Sequence, residues 1–286
     1  MTQQTVQTDD LLQQSTDDAI AASSKGAVQV ENVSMVFRQK KKSVHVLENV
    51  NLSIEPGELV CLLGPSGCGK STLLNLIAGF IQPSDGGIFV DRKQVRKPGA
   101  DRGFVFQQYS LLPWKTTFEN VEFGLKIKGI SKFERKDRVE EYLNLVGLYK
   151  YRHAYPNQLS GGMQQRASIV RALVNSPSVL LMDEPFAALD AQTRHMMQEL
   201  LLDIWDRLKT TVIFVTHDIE EAVFLGDRIF VMGVQPGRIK AALDIPLVRP
   251  RHVDDMLTPE FSQLNRQVFD LIREETLKSM ELTRAS

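Results

Sequence analysis

An α/β fold with a mainly parallel core sheet is what this sequence predicts, on three observations. Apolar runs of strand length alternate with helix-periodic stretches through most of the chain. A glycine-rich bend, GPSGCGKST at Gly64 to Thr72, lies between the apolar run LVCLL and the periodic run LLNLIAGF. A second continuous apolar run, VLLMDE at Val179 to Glu184, ends in two carboxylates, as a buried strand does when it delivers acids to a sheet edge.

The elements follow in order. Residues 1–26 are rich in Gln, Thr, Ser and Asp and poor in large apolar residues, the composition of a mobile tail, so structure is expected from about Ala27. The runs AVQVENVSMVF and HVLENVNLSI have strand character, and Pro56 and Gly57 mark the turn into the strand before the glycine bend. After the first helix come a hairpin pattern, GGIFVDRKQV, and the strand GFVF ending in two glutamines. From Leu111 to about residue 159 the chain turns charged and helix-periodic, bounded by Pro113 and Pro156, which reads as a helical insertion. Its run KFERKDRVEE reads as a solvated helix face. The helix MQQRASIVRALV, the strand SVLLMDE, the helix AQTRHMMQELLLDIWDRLK, the strand TVIFVTHD, a short helix and the strand RIFVMG complete the series to residue 243. The tail, 244–286, carries one amphipathic pattern, Phe261, Leu264, Val268, Leu271 and Ile272, expected to form a helix packed on its own domain or on a partner.

Composition sets the surroundings. With 286 residues and 43% hydrophobic content, the chain can bury a substantial core. A net charge of −1 speaks against a nucleic-acid footprint. The two cysteines, Cys61 and Cys68, lack metal spacing and fit a reducing cytoplasm. No run approaches a membrane span, and the acidic, polar start is unlike a signal peptide.

Three constellations carry chemistry. In the bend, Gly64 is followed by Pro65, Ser66, Gly67 and Cys68, then by Gly69, Lys70, Ser71 and Thr72, the phosphate-loop spacing G-x-x-x-x-G-K-[ST]. Little side-chain bulk lets backbone N–H groups converge on an anion at a helix N-terminus, with Lys70 reaching the β- and γ-phosphates of ATP and the Ser71 hydroxyl ligating Mg²⁺. Asp183 is placed to complete the Mg²⁺ shell and Glu184 to act as general base on the attacking water. The third stretch, LSGGMQQR, puts Ser160, Gly161 and Gly162 at a second helix N-terminus able to hold phosphate. One nucleotide does not need two cradles in one chain, but two chains meeting head to tail would each close the other's site.

With these motifs in hand, the sequence resembles the ATP-binding subunits of ABC transporters over roughly Val28 to Lys240. The phosphate loop, Gln107, the LSGGMQ signature, the acidic strand, ALD at Ala188 to Asp190 and His217 all occur in the family's order. The resemblance implies an ABC-type phosphate-loop NTPase with an N-terminal antiparallel β region and a helical subdomain at about 111–159. It further implies that Phe37 stacks on adenine, Gln107 joins the Mg²⁺ and water contacts, and His217 holds the γ-phosphate and the water with Glu184. Ser160, Gly161, Gly162, Gln164 and Asp190 would meet the partner's ATP, although helix capping explains Asp190 as well. The signature reads SGGM where SGGQ is commonest, with Gln164 one place later.

The implied activity is ATP hydrolysis coupled to transmembrane transport, at the cytoplasmic face of the inner membrane. The implied partners are a second ATPase chain, identical or related, and permease subunits docking near Tyr109 to Trp114, with a substrate-binding protein acting indirectly. The stretch LLPW, the turn FAALDAQTR and the short tail resemble importers of the nitrate, sulfonate and taurine group, nitrate first, with bicarbonate, sulfonate or taurine as alternatives. A soluble ATPase of the superfamily would carry a coiled-coil insertion or a second phosphate loop, and a small-molecule kinase has no use for LSGGMQQR.

Overall fold

A computed structural model of the chain describes residues 25–39 and 42–285. The N-terminal tail expectation falls almost wholly outside these residues. Its last member, Gly26, already donates its N–H to Asp91 Oδ1 at 2.6 Å.

The elements run β1 (Val28–Gln39), β2 (Lys42–Ile54), β3 (Leu59–Leu63), α1 (Lys70–Ala78), β4 (Asp85–Val90), β5 (Lys93–Gln94) and β6 (Arg102–Val105). The helical insertion follows as α2 (Thr117–Ile127) and α3 (Lys132–Leu145). Then come α4 (Gly161–Leu173), β7 (Val179–Asp183), α5 (Ala191–Leu208), β8 (Thr211–Thr216), α6 (Ile219–Leu225), β9 (Arg228–Gly233), β10 (Arg238–Asp244) and α7 (Pro259–Ala285).

Two sheets form. The six-stranded sheet has the order β10-β9-β3-β8-β7-β6, and β3 pairs in parallel with both β9 and β8. All five residues of β3, LVCLL, are buried, as a central parallel strand covered on both faces requires. The four-stranded sheet, β2-β1-β4-β5, is antiparallel throughout. Its inward residues Val28, Val30, Leu52 and Ile88 pack with α1 and one face of the larger sheet, while α4, α5, α6 and α7 cover the other face.

This topology places the ends of β3, β6, β7 and β8 on one edge, since all four run parallel. One strand lies beyond the sequence expectation. RIKAALD forms β10, antiparallel to β9, as a half-exposed edge with a register shift and neither a continuous apolar run nor clean alternation.

The insertion is fixed by local rules. Thr116 accepts the Glu119 N–H while Glu119 returns to the Thr116 N–H, a capping box that starts α2. The fully buried Asn120 amide bonds Leu112 N and O, Lys115 O and Thr116 O, so one side chain shapes the LLPW loop. In α3 only Val139 and Leu143 are buried, and the charged run is indeed a mostly solvated face.

The tail helix α7 packs on its own domain: Phe261 and Val268 are buried in the main core, with Leu264, Leu271 and Ile272 against its margin. Glu275 on the same helix accepts the Val234 N–H at 3.2 Å and pairs with Lys240 at 3.1 Å. No helix among the described residues is long and apolar enough to cross a membrane.

Candidate functional site

The bend between β3 and α1 is shaped by close packing. Gly69, which precedes α1, has φ +97°, and a Cβ there would fall 2.6 Å from Leu47 Cδ2, so both conformation and space demand glycine. The turn after β9 braces the loop from behind, since a Cβ on Gly237 would fall 2.0 Å from the Cys68 carbonyl oxygen. Lys70 is buried, and its Nζ donates to Gly64 O at 2.7 Å and Pro65 O at 3.1 Å, which curls the loop around the ammonium. Cys68 is buried, and burial pushes its thiol up despite the nearby Lys70.

The end of β7 meets this loop. Ser71 Oγ donates to Asp183 Oδ1 at 2.9 Å, joining residues that the sequence reading paired only through a shared metal. Burial raises the Asp183 carboxyl above the usual range; the Ser71 hydrogen bond opposes this, Glu184 adds to it, and Lys70 opposes it. Two hard oxygen donors side by side fit a magnesium ion that also takes phosphate oxygens. Among the described residues no cluster of three His, Cys, Asp or Glu offers a self-contained metal cage.

The next residue turns away. Glu184 adopts φ +43°, the left-handed region, while its N–H donates to Val215 O at 3.0 Å. Its carboxylate Oε2 then sits 3.0 Å from His217 Nδ1, just past the end of β8. Acid and imidazole thus face each other across adjacent parallel strands.

The other expected residues are placed as follows. Phe37 lies on β1 with 40% of its surface exposed, so its ring is not absorbed by the core. Gln107 and Gln108 are both exposed beyond the end of β6, whereas Ser71 and Asp183 bond to each other. Ser160 caps α4 by accepting the Met163 N–H, and Gln164 Nε2 turns back to Leu159 O at 3.2 Å. Asp190 caps α5, accepting the Thr193 N–H at 3.0 Å and its hydroxyl at 2.7 Å, bonds that hold its carboxyl below the usual range. Capping, the competing explanation for Asp190, is therefore real.

Several neighbours had no signal in the sequence reading. Ser168 on α4 donates to the Tyr109 carbonyl and Arg171 Nη1 donates to Ser110 O at 2.7 Å, so the Gln107 loop is tied to the signature helix. Behind Glu184 and His217 lie Arg194, Asp218 and the buried Glu221, which accepts from Gln198 Nε2 at 3.0 Å. Asp218 caps α6 by accepting the Glu221 N–H, and D-x-x-E before a short apolar run was the one available hint.

A family model described as ABC transporter matches residues 47–187. The chain is 49% identical over 257 residues to an uncharacterized ABC transporter ATP-binding protein of Methanocaldococcus jannaschii, covering 90% of this chain and 95% of that one. It is 49% identical over 252 residues to the nitrate import ATP-binding protein NrtD of a Synechocystis strain, covering 86% and 95%. It is also 48% identical over 248 residues to the taurine import ATP-binding protein TauB of Rhizobium johnstonii, covering 84% and 94%. A solved dimeric ATP-binding cassette, in a post-hydrolysis state bound to ADP and Pi, superposes with a TM-score of 0.68 at 37% identity, over 77% of this chain and 100% of that one. With a phosphate loop, an acidic strand end and a glutamate–histidine pair on one sheet edge, the chain belongs to the ABC transporter family as one of its ATP-hydrolysing cassettes.

Proposed function

We propose that this chain is the motor subunit of a membrane importer, energising uptake of a small anion, nitrate first. The observation that carries the hydrolytic part is the junction at the sheet edge, where Ser71 meets Asp183 at 2.9 Å and Glu184 meets His217 at 3.0 Å. The phosphate loop backbone and Lys70 bind the β- and γ-phosphates, Lys70 exchanging its loop carbonyls for phosphate oxygens. Ser71 and Asp183, with Gln107, would hold Mg²⁺, which when bound would neutralise charge gathering on the phosphates. Glu184 accepts the proton of the attacking water, and His217, hydrogen-bonded to it, keeps that carboxylate aimed and contacts the γ-phosphate. Phe37 offers its exposed ring to adenine.

Two chains then share each nucleotide. The α4 N-terminus, with Ser160, Gly161 and Gly162, closes over the partner's γ-phosphate, and Gln164 and Asp190 meet the same interface. The solved cassette to which this chain is similar is a dimer with ADP and Pi, which supports that reading. Hydrolysis removes the bridging phosphate and the halves part. A groove of about 320 Å³ between the insertion and the core, lined by Phe104, Gly124, Ile127, Lys128 and Arg171, is suited to a short permease helix. The exposed Phe106 and Trp114 bracket the Gln107 loop, where the docking near Tyr109 to Trp114 is expected.

Nitrate rests on the similarity to the nitrate import protein, and the taurine import protein supports taurine as the second reading. Uptake of nitrate, bicarbonate, sulfonates and taurine by a strain lacking this chain decides between them, and co-purification with the permease decides whether the two ATPase chains are identical. For hydrolysis, Glu184→Gln is expected to retain ATP and lower turnover by about 100-fold or more, accumulating as a closed dimer on size exclusion. Wild-type turnover in that variant would remove Glu184 from the role of base.

A further inference from the structure

Arg194 lies in the first turn of α5, four positions after the cap Asp190, and its side chain folds back over the turn it follows. Nη2 donates to Leu189 O at 3.1 Å, inside the ALD turn, while Nη1 faces Asp218 Oδ2 at 3.5 Å. Asp218 immediately follows His217 and is itself held on both sides. Its N–H donates to Thr216 Oγ1 at 3.0 Å, and its carboxylate accepts the Glu221 N–H at 3.2 Å. One guanidinium therefore spans two turns, one carrying the residue that faces a second chain and one carrying the histidine of the catalytic pair.

The space between these turns is small. Glu184, His217, Arg194, Asp218 and Glu221 line a single cavity of about 40 Å³, room for a water and not for a ligand. Arg194 Nε is buried there with no hydrogen-bond partner among the described residues. The ion pair with Asp218 is about one-third exposed on each side, so solvent screens it and it adds little to stability directly. A planar fork that reaches two acceptors on two turns acts through geometry.

The geometry points to Arg194 as a positioning residue for hydrolysis, one that fixes the ALD turn against the His217 turn so that contact at Asp190 reaches the Glu184–His217 pair. This rests on the reading of Glu184 and His217 as the catalytic pair. The Arg194 side chain bonds to the ALD turn and to Asp218, not to the phosphate loop, so its effect is expected on the aim of the pair and not on ATP capture.

The test is steady-state hydrolysis of MgATP by the full chain carrying Arg194→Met, Arg194→Lys, Asp218→Asn or the Arg194→Met/Asp218→Asn pair, each checked for folding by thermal melting. Arg194→Met is expected to lower kcat about tenfold with KM within twofold of wild type. Lysine, a compact ammonium without the planar fork that reaches both turns, restores less than half of the loss. The Asp218→Asn side chain still caps α6 but gives up the charge, so the double variant falls no further than Arg194→Met alone. A kcat within twofold of wild type in folded Arg194→Met overturns the inference, as does a loss shared equally by kcat and KM or strictly additive with Asp218→Asn. If Arg194→Met does not fold, Arg194→Lys and Asp218→Asn must each show a loss confined to kcat, and their failure to do so overturns it equally. Glu184→Gln in the same assay separates the two readings: turnover there sinks the catalytic pair, whereas a dead Glu184→Gln beside a normal Arg194→Met sinks Arg194 alone.

Discussion

Glu221 shows how a single buried side chain sets a pH dependence. Burial raises its carboxyl above the ordinary 4.5, more than the hydrogen bonds from Thr216 and Gln198 lower it. The fold therefore holds this proton more tightly than the unfolded chain does. The stability tied to it is complete below about pH 4.5 and is lost as pH rises through the raised value. Glu221→Gln keeps the Gln198 contact without the ionisation. Its melting temperature relative to wild type is expected to climb from pH 4.5 upward and then level off; a difference that stays flat with pH would refute a raised carboxyl. At this scale the sequence and its resemblance singled out Ser71, Asp183, Glu184 and His217, and the structure brings these together as two pairs. The sequence was silent about Arg194, Arg251 and the Glu221–Gln198 contact, whose partners are set by tertiary approach. Arg251 gives its two terminal nitrogens to the carbonyls of Val223, Phe224, Gly226, Ile245 and Leu247, and burial pulls its pKa down to about 10. No spacing in the chain announces such a knot. Gln164 adds a local bond of the same kind, its amide donating to Leu159 O at 3.2 Å, which its place in the signature did not announce.

Elements were readable in proportion to their apolar rhythm. β3, β7 and β8 are buried over almost every residue and appear as continuous runs; α4 and α5 show their buried stripes. β10 escaped because an edge strand need satisfy neither pattern: its residues are half-exposed and its pairing slips between Ile239 and Ala241. The tail helix was recognised by its stripe, but the stripe could not say which surface it covers. The structure answers with Phe261 and Val268 in the main core. Phe261→Ala is therefore expected to destabilise the cassette by about 3 kcal/mol in denaturant unfolding, the cost of emptying a filled core site. A loss below about 1 kcal/mol would mean that α7 is a loosely held appendage.

At the level of the molecule, strand order does the assembling. Because β3, β6, β7 and β8 run parallel and neighbour one another, four separate loops arrive at one edge although their residues span Gly64 to His217. The serine-glycine turn at the head of α4, whose Gly161 lies beside Tyr109 and Leu189, finds its nucleotide in a second chain on the reading proposed above. Hydrolysis per chain is then expected to fall as the isolated protein is diluted and to recover on concentration. A rate per chain that is unchanged over a hundredfold dilution would mean that each chain works alone. The contact between Gly237 and Cys68 bears on how such a machine can cycle. With a neighbouring turn packed this closely, the backbone of the cradle is expected to keep its shape when product leaves. The ordering entropy of that backbone was surrendered when the chain folded, so each later ATP chiefly requires Lys70 to change partners.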